Sequence, residues 1–491
     1  MTRWRALGGE KGTGGLIRFA RRRSRMRAGR ASRFAREAPG DRGLYSTYLH
    51  RGPIIEPRAR GQAEGEQAQA SGMFPFPICG IACVPGVARG VVSRQSAPGV
   101  ILLADQDALR ELSVWPAGCI LYQAAPFSHA TIGLLAHGVP TLIVEEEQAP
   151  MLLEGQAVTV DGGSGRVLPG DAPETALEKV PPPAPRPLRT RDGCEVALLA
   201  SIRDARGARL AQERGAAAVG LVRSEFLVPP GGEAPDTHFY TQAFEEVCRS
   251  ASPLAVTFRL LDLAADKHPP WAAMLPAGTT LGLQGVRLYE HALVRPILGA
   301  QLEALTRICG RFALRTLVPY VTTVDEFVRW RARVAAALPG CEVPIGAMVE
   351  TPGTALMIDE LVRTADLVAI GTNDLMQCLF GADRDEPRVA RYLDPYSPAV
   401  FRFLRATAER AGTAVARVQL CGLLSQLPGV LPVLLGLGYR LFSVDVAHVP
   451  YLAQVVSARS CADCRATADA VCAARSSREV ADLLGVRAPR E

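Results

Sequence analysis

The sequence has few lysines, few aromatic residues and no long apolar run. Only three of its 55 basic residues are lysine, and aromatic residues make up 6% of the 491 residues. No stretch reaches the roughly 18 uninterrupted apolar residues that a membrane-spanning helix needs. The most apolar stretch, residues 430–439, contains Pro432, Gly436 and Gly438, so we interpret it as a core helix. The sequence therefore predicts no membrane partner.

The net positive charge of the chain comes from its first 72 residues. That segment holds 15 arginines, one lysine and six acidic residues, whereas residues 73–491 hold 39 basic and 43 acidic residues. The body of the chain thus has no basic surface for nucleic acid. The segment itself has few periodic apolar positions, so we predict a disordered tail or an over-extended gene start. Its arginines also leave a targeting function open. We expect a protein that begins at Met73 to keep its full melting temperature.

The twelve cysteines are scattered through apolar stretches and form no regular framework. A chain of this length does not need disulfides, and the pattern indicates a reducing, cytoplasmic environment. Cys461 and Cys464 form one CxxC pair, followed by Cys472. A metal or redox site is one interpretation of the pair. No second ligand pair follows at zinc-site spacing, which favours incidental cysteines on a helix.

The chain divides into four predicted parts: the tail 1–72, a compact α/β module at 73–170, a proline-rich linker at 171–193 and a larger domain at 194–491. In the module, short apolar runs alternate with Gly and Pro turns, and residues 161–165 predict a hairpin turn. In the larger domain, apolar strand-like runs alternate with helical periodicity, which favours an α/β fold, a (β/α)8 TIM barrel. We predict its strands near residues 195–201, 217–222, 254–261, 314–321, 344–350, 367–372, 418–422 and 441–445.

Charged residues stand where these predicted strands end. Arg223, Arg259 and Arg384 suit a multiply charged phosphate, because guanidinium groups match its oxygens in pairs. Glu350 and Asp374 suit an octahedral Mg²⁺ that keeps water or substrate oxygens as its other ligands. Structural ion pairs at the rim of the barrel are the alternative for any single residue. The ordered set at successive strand ends favours a phosphate and metal site.

The segments GLVRSEFL, FRLLDLAADK, AMVETP, IGTNDL and LCG follow one another along the chain. In this order they resemble the barrel motifs of Enzyme I of the phosphoenolpyruvate (PEP)-dependent sugar phosphotransferase system, and those of PEP synthase and pyruvate phosphate dikinase. The resemblance covers residues 73–475. It implies that Glu350 and Asp374 bind Mg²⁺, and that Cys421 protonates the enolate to give pyruvate. The PEP-binding residues that it implies are Arg223, Arg259, Lys267, Asn373 and Arg384.

The first module contains Ser128-His129-Ala130-Thr131-Ile132, followed by Gly138-Val139-Pro140-Thr141. A neutral imidazole is a good phosphoryl acceptor, because the phosphoramidate that forms passes its phosphoryl group on. The stretch resembles the phosphohistidine swivel domain of the same family, in the family's order before the barrel. The resemblance implies that His129 takes the phosphoryl group of PEP and passes it to an acceptor, with a protein histidine as the first candidate. It also implies a homodimer.

Three departures from the family separate this chain from Enzyme I. The helical domain that docks the phosphocarrier protein is missing between residues 92 and 100, so an acceptor would dock differently. Residues 124–127 and Leu135 replace polar or basic residues around His129, and Gln284 replaces an arginine of the PEP site. A catalytically degenerate PEP-binding regulator is therefore the alternative function. A lyase or aldolase of the wider PEP/pyruvate barrel group is a third, and it leaves the first module unexplained.

Overall fold

The computed structural model describes residues 77–105, 108–112, 114–122, 129–177, 181–228, 233–263, 275, 282–390 and 392–486. Its strands are β1 Ile78–Cys79, β2 Ile81–Val84, β3 Val87–Ser93, β4 Val100–Ala104, β5 Gly118–Leu121, β6 Thr141–Ile143, β7 Ala157–Asp161, β8 Arg166–Pro169, β9 Leu188–Arg189, β10 Glu195–Ile202, β11 Val219–Arg223, β12 Val256–Arg259, β13 Leu314–Val321, β14 Ile345–Val349, β15 Val368–Gly371, β16 Val418–Cys421 and β17 Leu441–Asp445. The predicted tail at 1–72 lies outside the described residues.

The α-helices lie mostly between the strands of the second half of the chain. They are α1 His129–Ala136, α2 Ala205–Glu213, α3 Thr237–Ala251, α4 Arg295–Ile308, α5 Val324–Ala336, α6 Pro352–Ala355, α7 Ile358–Thr364, α8 Thr372–Phe380, α9 Pro387–Ala390, α10 Pro398–Ala411, α11 Val430–Gly436, α12 Val449–Ser457, α13 Cys461–Ala473 and α14 Ser477–Leu484. The stretch at 430–439 contains α11, as predicted, and five of the residues of α11 between 430 and 435 are at most 1% exposed. Among the described residues no helix is both long and apolar enough to cross a membrane.

The first eight strands form one mixed sheet in the order β1-β8-β7-β3-β4-β5-β6-β2. Strands β3 to β6 pair in parallel, and the other pairings are antiparallel. Strands β7 and β8 form the predicted hairpin, with Asp161 opposite Arg166. Asp161 Oδ1 accepts the backbone N–H groups of Gly163 and Ser164 at 3.2 and 3.1 Å, which closes the turn. The run of residues 161–165 is thus a turn of the sheet.

Strands β10 to β17 form a closed parallel barrel. Each pairs with the next along the chain, and β10 pairs with both β11 and β17, which closes the ring. Their side chains are Val-, Ile- and Leu-rich and buried on both faces, as parallel strands covered by helices require. All eight strands predicted from the sequence are present, with bounds that shift by at most two residues. The predicted (β/α)8 barrel is confirmed. At the end of the predicted linker, β9 pairs antiparallel with β10.

Side-chain caps start three of the helices that follow barrel strands. Asp204, Thr323 and Thr351 accept N–H groups from the first turns of α2, α5 and α6. Such caps replace backbone partners that the first turn of a helix lacks. In α6 the cap directly follows Glu350, and Pro352 occupies the first helical position, where a missing N–H costs nothing. The chain therefore turns sharply just after the strand ends, which leaves Glu350 at the mouth of the barrel.

The prediction of reduced cysteines is wrong for one pair. Cys309 and Cys341 are joined by a disulfide across a sequence separation of 32 residues. Cys309 follows α4 and Cys341 follows α5, so the bond links two neighbouring helices on the outside of the barrel. Their juxtaposition depends on the barrel, and no local pattern in the sequence indicates it. The other ten cysteines are free thiols.

Candidate active site

Neighbouring strands of the barrel end in register, and this brings the predicted site residues together. Arg223 on β11 lies opposite Arg259 on β12, and Gly371 on β15 lies opposite Cys421 on β16. Glu350 directly follows β14. Since the carboxyl ends of parallel strands meet at one edge of the barrel, these side chains converge at its mouth.

Arg259 lies at the centre of a buried ion network. Its guanidinium contacts Glu225, and its Nη1 lies 2.8 Å from Asp262 Oδ2 and 3.9 Å from Glu350 Oε1. The side chain of Arg259 is 4% exposed. Burial alone would lower the pKa of Arg259, but the charges of Asp262, Glu225 and Glu350 outweigh it and hold the pKa above its usual value. This arginine is thus fixed in place by carboxylates of the protein itself.

Arg223 is held differently. Burial and the neighbouring charge of Arg259 lower its pKa. Its Nε is buried without a hydrogen-bond partner among the described residues. A buried guanidinium that lacks a full set of acceptors favours an anionic ligand, because an unpaired charge is costly away from water. Arg384, 3% exposed, lies nearby with Nη2 3.6 Å from Asp374 Oδ1.

Glu350 and Asp374 are the carboxylates predicted to bind Mg²⁺. Burial and the neighbouring charges of Asp374 and Asp262 raise the pKa of Glu350 well above its ordinary value. A divalent cation beside the two carboxylates would offset this repulsion and keep Glu350 ionised. Two oxygen donors that leave other positions for water or substrate are the set that Mg²⁺ prefers. The residues present therefore fit the ion.

The backbone around Glu350 is unusual in two respects. Tyr320, in β13, has a φ of 49°, which non-glycine residues rarely adopt, and its N–H donates to Glu350 Oε2 at 2.8 Å. At Gly371, a Cβ would lie 2.6 Å from Cγ and Oε1 of Glu350. Only glycine leaves room for the carboxylate there. Tyr320 and Gly371 therefore fix where Glu350 points.

Cys421 ends β16 with its thiol at the floor of the site. It is 2% exposed, and Gln419 Nε2 donates to its sulfur at 2.9 Å. Burial raises the pKa of the Cys421 thiol to about 12. The thiol therefore stays protonated at neutral pH. Beside it, Asn373 Oδ1 accepts the N–H of Leu423 at 3.0 Å and so fixes the loop after β16.

These side chains close around a small cavity. It has a volume of about 20 Å³ and is lined by Leu221, Arg223, Arg259, Met348, Glu350, Gly371, Thr372, Asn373, Asp374, Arg384, Cys421 and Gly422. That volume holds roughly one water molecule. A larger cavity of about 530 Å³ shares Arg223 and Gly422 with it and is also lined by Ile132 and Leu135 of α1. A ligand the size of a small phosphate ester would thus need the arginine and carboxylate side chains to move apart.

The structure groups seven of the nine residues predicted for the site around this small cavity: Arg223, Arg259, Glu350, Asn373, Asp374, Arg384 and Cys421. Lys267 lies outside the described residues. His129 is the first residue of α1, and its side chain is not among those described.

Four further residues contact the predicted site residues and were not assigned from the sequence. Glu225 and Asp262 stand inside the motifs around Arg223 and Arg259, so their proximity to the predicted arginines was an available signal. No sequence signal pointed to Tyr320 or Gln419, because only the fold brings them to the site. Gln284, the replaced arginine of the family, is buried at the start of the 3-10 helix Gly285–Leu288.

Comparison with known proteins agrees with this geometry. Residues 183–461 match the family described as "PEP-utilising enzyme, PEP-binding domain". The chain is 31% identical to a phosphoenolpyruvate-protein phosphotransferase of Streptomyces coelicolor over 79% of its own length and 70% of that protein. It is 32% identical to a multiphosphoryl transfer protein of Xanthomonas campestris over 71% of its own length.

This chain matches different fractions of the length of its relatives. The chain spans 44% of the Xanthomonas campestris protein, so part of that relative has no counterpart here. Among solved structures, an aldolase/citrate lyase family protein from Burkholderia cenocepacia is 18% identical to this chain, with a TM-score of 0.30. The match covers 54% of this chain and 93% of that protein, and the likeness is too distant to indicate a shared function. The family match extends over more than half of this chain and includes the strand ends that form the site. The chain belongs to the PEP-utilising enzymes.

Proposed function

We propose that this protein is a Mg²⁺-dependent phosphotransferase that moves the phosphoryl group of PEP to His129, releases pyruvate, and passes the group to an acceptor. The observation that carries the proposal is the convergence of Arg223, Arg259 and Arg384 with two carboxylates and a protonated thiol around one buried cavity. This is the donor set that a doubly charged phosphate ester with a carboxylate needs.

Each group has a chemical task in the proposal. Guanidinium groups bind the phosphate and carboxylate of PEP, and Mg²⁺, when bound by Glu350 and Asp374, would supply further positive charge at the phosphate. A ring nitrogen of His129 attacks phosphorus, and the phosphorus–oxygen bond breaks with its electron pair on the leaving oxygen. The enolate that leaves takes a proton at its methylene carbon from the Cys421 thiol and becomes pyruvate.

The position of α1 supports a transfer between the first module and the barrel. Ile132 and Leu135 pack into the apolar core of the barrel together with Val84 of β2. The same two side chains line the 530 Å³ cavity that leads to Arg223. The helix that His129 begins is thus docked beside the mouth of the barrel, which favours transfer between the two parts. The acceptor, the homodimer and the cytoplasmic location remain predictions.

A PEP-binding regulator without phosphotransfer is the second candidate. Gln284 is buried where the family has an arginine, and Leu135 replaces an arginine near His129. Losing one guanidinium from the site weakens stabilisation of the transferring phosphate by a few kcal/mol if no other charge replaces it. Binding can survive such a loss when the remaining arginines still contact the ligand.

Incubation with PEP labelled on its phosphate separates the two candidates. The purified protein is tested with and without Mg²⁺, beside His129→Ala and with His238→Ala as a control at an exposed histidine. We expect acid-labile label that needs both Mg²⁺ and His129. Binding of PEP by calorimetry without any label would instead support the regulator, and Gln284→Arg should then restore labelling. Label that persists in His129→Ala would exclude His129 as the acceptor.

A further inference from the structure

Two thiols and a carboxylate meet on the side of the barrel where its first strand approaches α13. Asp192, Cys194 and Cys461 each offer one ligand atom, and the three atoms lie within 4.8 Å of one another. Cys461 is buried, Cys194 is half-buried and Asp192 is exposed. Asp192 and Cys461 are 269 residues apart in sequence, so the barrel itself assembles the cluster.

The segment that carries the first two ligands is preorganised. It is a tight turn between β9 and β10, in which the Thr190 N–H donates to the Cys194 carbonyl at 2.9 Å. The Cys194 N–H donates in return to Thr190 Oγ1 at 3.0 Å, and Thr190 Oγ1 donates to Asp192 Oδ1 at 2.5 Å. The turn therefore fixes the positions of Asp192 and Cys194 relative to each other.

The third ligand is fixed to the same turn. The Cys461 N–H donates to both carboxylate oxygens of Asp192, at 2.8 and 3.0 Å. Ser460 caps α13 and sets the orientation of its first turn. Arg191 adds a surface contact, with Nη2 2.8 Å from Asp463 Oδ2. The turn and α13 thus hold the three ligand atoms within 4.8 Å of one another.

We propose that Asp192, Cys194 and Cys461 bind a borderline-soft divalent cation of the zinc class, with water as the fourth ligand. Thiolate sulfurs bound to one tetrahedral zinc lie about 3.8 Å apart. The spacing here therefore needs only a small contraction. Two thiolates select such a metal over Mg²⁺, which prefers oxygen donors. The exposed side of Asp192 leaves the fourth position open to solvent.

Binding replaces two sulfur–hydrogen bonds by two sulfur–metal bonds and releases two protons to water. The hydrogen bonds that Asp192 accepts from Thr190 and Cys461 hold its carboxylate beside the two thiols. Arg440 Nη2 lies 3.5 Å from Cys461 Sγ and donates to it, and the same contact stabilises a thiolate there. Groups of this kind around the ligands orient them and tune the metal. Cys464, the second thiol of the CxxC pair, is buried in the barrel core instead.

The site would link the turn before β10, the first strand of the barrel, to α13, the second α-helix after the last strand. It stands apart from the PEP site, and its test does not depend on the proposed function. The full-length protein is reduced, stripped with a chelator and titrated with Zn²⁺ and with Co²⁺ as a spectroscopic probe. Excess Mg²⁺ is present throughout to saturate the carboxylates of the PEP site.

We expect one Co²⁺ per chain with thiolate-to-cobalt charge-transfer absorption. Cys194→Ser and Cys461→Ser should each lose that absorption and bind Zn²⁺ at least about tenfold more weakly, since changes outside the ligand set alone cost that much. Cys472→Ser, a buried cysteine elsewhere on α13, is the matched control and should bind as the parent does. Chelator should lower the melting temperature of the parent and leave that of Cys194→Ser unchanged.

Either of two results would overturn the proposal. One is uptake of Zn²⁺ by the parent that is no tighter than uptake by Cys194→Ser. The other is a Cys194–Cys461 disulfide in the unreduced protein together with no cobalt absorption after reduction, which would make the cysteines a redox pair.

Discussion

At the scale of single residues, Arg259 and Arg223 are neighbours on adjacent strands but have opposite electrostatic surroundings. Arg259 is surrounded by Glu225, Asp262 and Glu350, so its charge holds three buried carboxylates together. Arg223 instead has a lowered pKa, because burial and the neighbouring charge of Arg259 outweigh the charge of Glu225. One arginine mainly supports the structure of the site, and the other is available to a ligand.

This contrast predicts different effects for the same substitution. Arg259→Gln leaves buried carboxylates uncompensated and should lower the free energy of unfolding by about 3–5 kcal/mol. Arg223→Gln removes a charge that repels Arg259, so its melting temperature should stay close to that of the parent. PEP affinity should nevertheless fall at least about tenfold, the equivalent of one lost charged hydrogen bond. Denaturant unfolding and calorimetry measure the two effects, and equal destabilisation by both substitutions would contradict the argument.

The imidazole of His448 predicts acid sensitivity. Burial lowers its pKa to about 4 from an ordinary 6.5, and its Nδ1 is buried without a hydrogen-bond partner among the described residues. The folded protein then binds fewer protons than the unfolded chain between these two values, so stability falls as pH drops through that window. We expect a loss of roughly 1–3 kcal/mol from pH 6.5 to 4 that His448→Gln removes.

Chemical denaturation across this pH range is the measurement. His238→Gln, at an exposed position on α3, is the control and should keep the slope of the parent. An unchanged slope in His448→Gln would show that other groups cause the acid sensitivity.

At the scale of secondary-structure elements, the ends of β14 and β15 determine the geometry of the site. A Cβ at Gly371 would lie 2.6 Å from Glu350, whereas a Cβ at Gly353 on α6 would have its nearest neighbour at 4.0 Å. Both glycines are close to Glu350 along the chain or in space. Gly371 ends β15 and Gly353 lies in α6, so the pair compares a position without room for a side chain with one that has room.

Gly371→Ala should displace the Glu350 carboxylate and lower the free energy of unfolding by about 1–3 kcal/mol. It should also weaken Mg²⁺-dependent PEP binding, because the metal ligand moves. Gly353→Ala should leave binding unchanged and stabilise α6 by up to about 1 kcal/mol, the usual gain of alanine over glycine in a helix. Titration with PEP in the presence of Mg²⁺, together with thermal unfolding, tests both variants. Normal binding by Gly371→Ala would show that Glu350 can move without consequence.

At the scale of the whole molecule, the first sheet and the barrel share apolar contacts. Leu135, 6% exposed, packs into the barrel core where the resembling family has an arginine. Restoring the charge as Leu135→Arg would bury a guanidinium in apolar surroundings at a cost of several kcal/mol. We expect it to loosen the docking of α1 and to speed hydrogen exchange in α1 and β2.

Leu153→Arg is the control for this change, because Leu153 is 51% exposed on the first module. It should leave exchange in α1 and β2 as in the parent. If hydrogen exchange in α1 and β2 of Leu135→Arg is as slow as in the parent protein, the docking of α1 does not depend on the Leu135 side chain.

The barrel strands, and the meeting of seven of the predicted residues at one cavity, were predictable because their signals are local. Apolar runs, their periodicity and the charged residues that end them are read within a few positions of each other. Consecutive βα units place all strand ends on one edge, so the order of the motifs along the chain is enough to bring Arg223, Glu350 and Cys421 together. The family resemblance added roles to residues that were already grouped by this rule.

The features that escaped the sequence depend on contacts between distant segments. The contact of Arg259 with Glu350, the positive φ of Tyr320, the Cys309–Cys341 bond and the meeting of Cys194 with Cys461 all follow from closure of the barrel and the packing of its helices. The partner lies 32 residues away for Cys309, 30 residues away for Tyr320, and 269 residues away for the Cys461 N–H, which donates to Asp192. The sequence by itself determined which residues stand at the mouth of the barrel. The tertiary structure alone decided which of them are paired, because pairing depends on distances that no local pattern encodes.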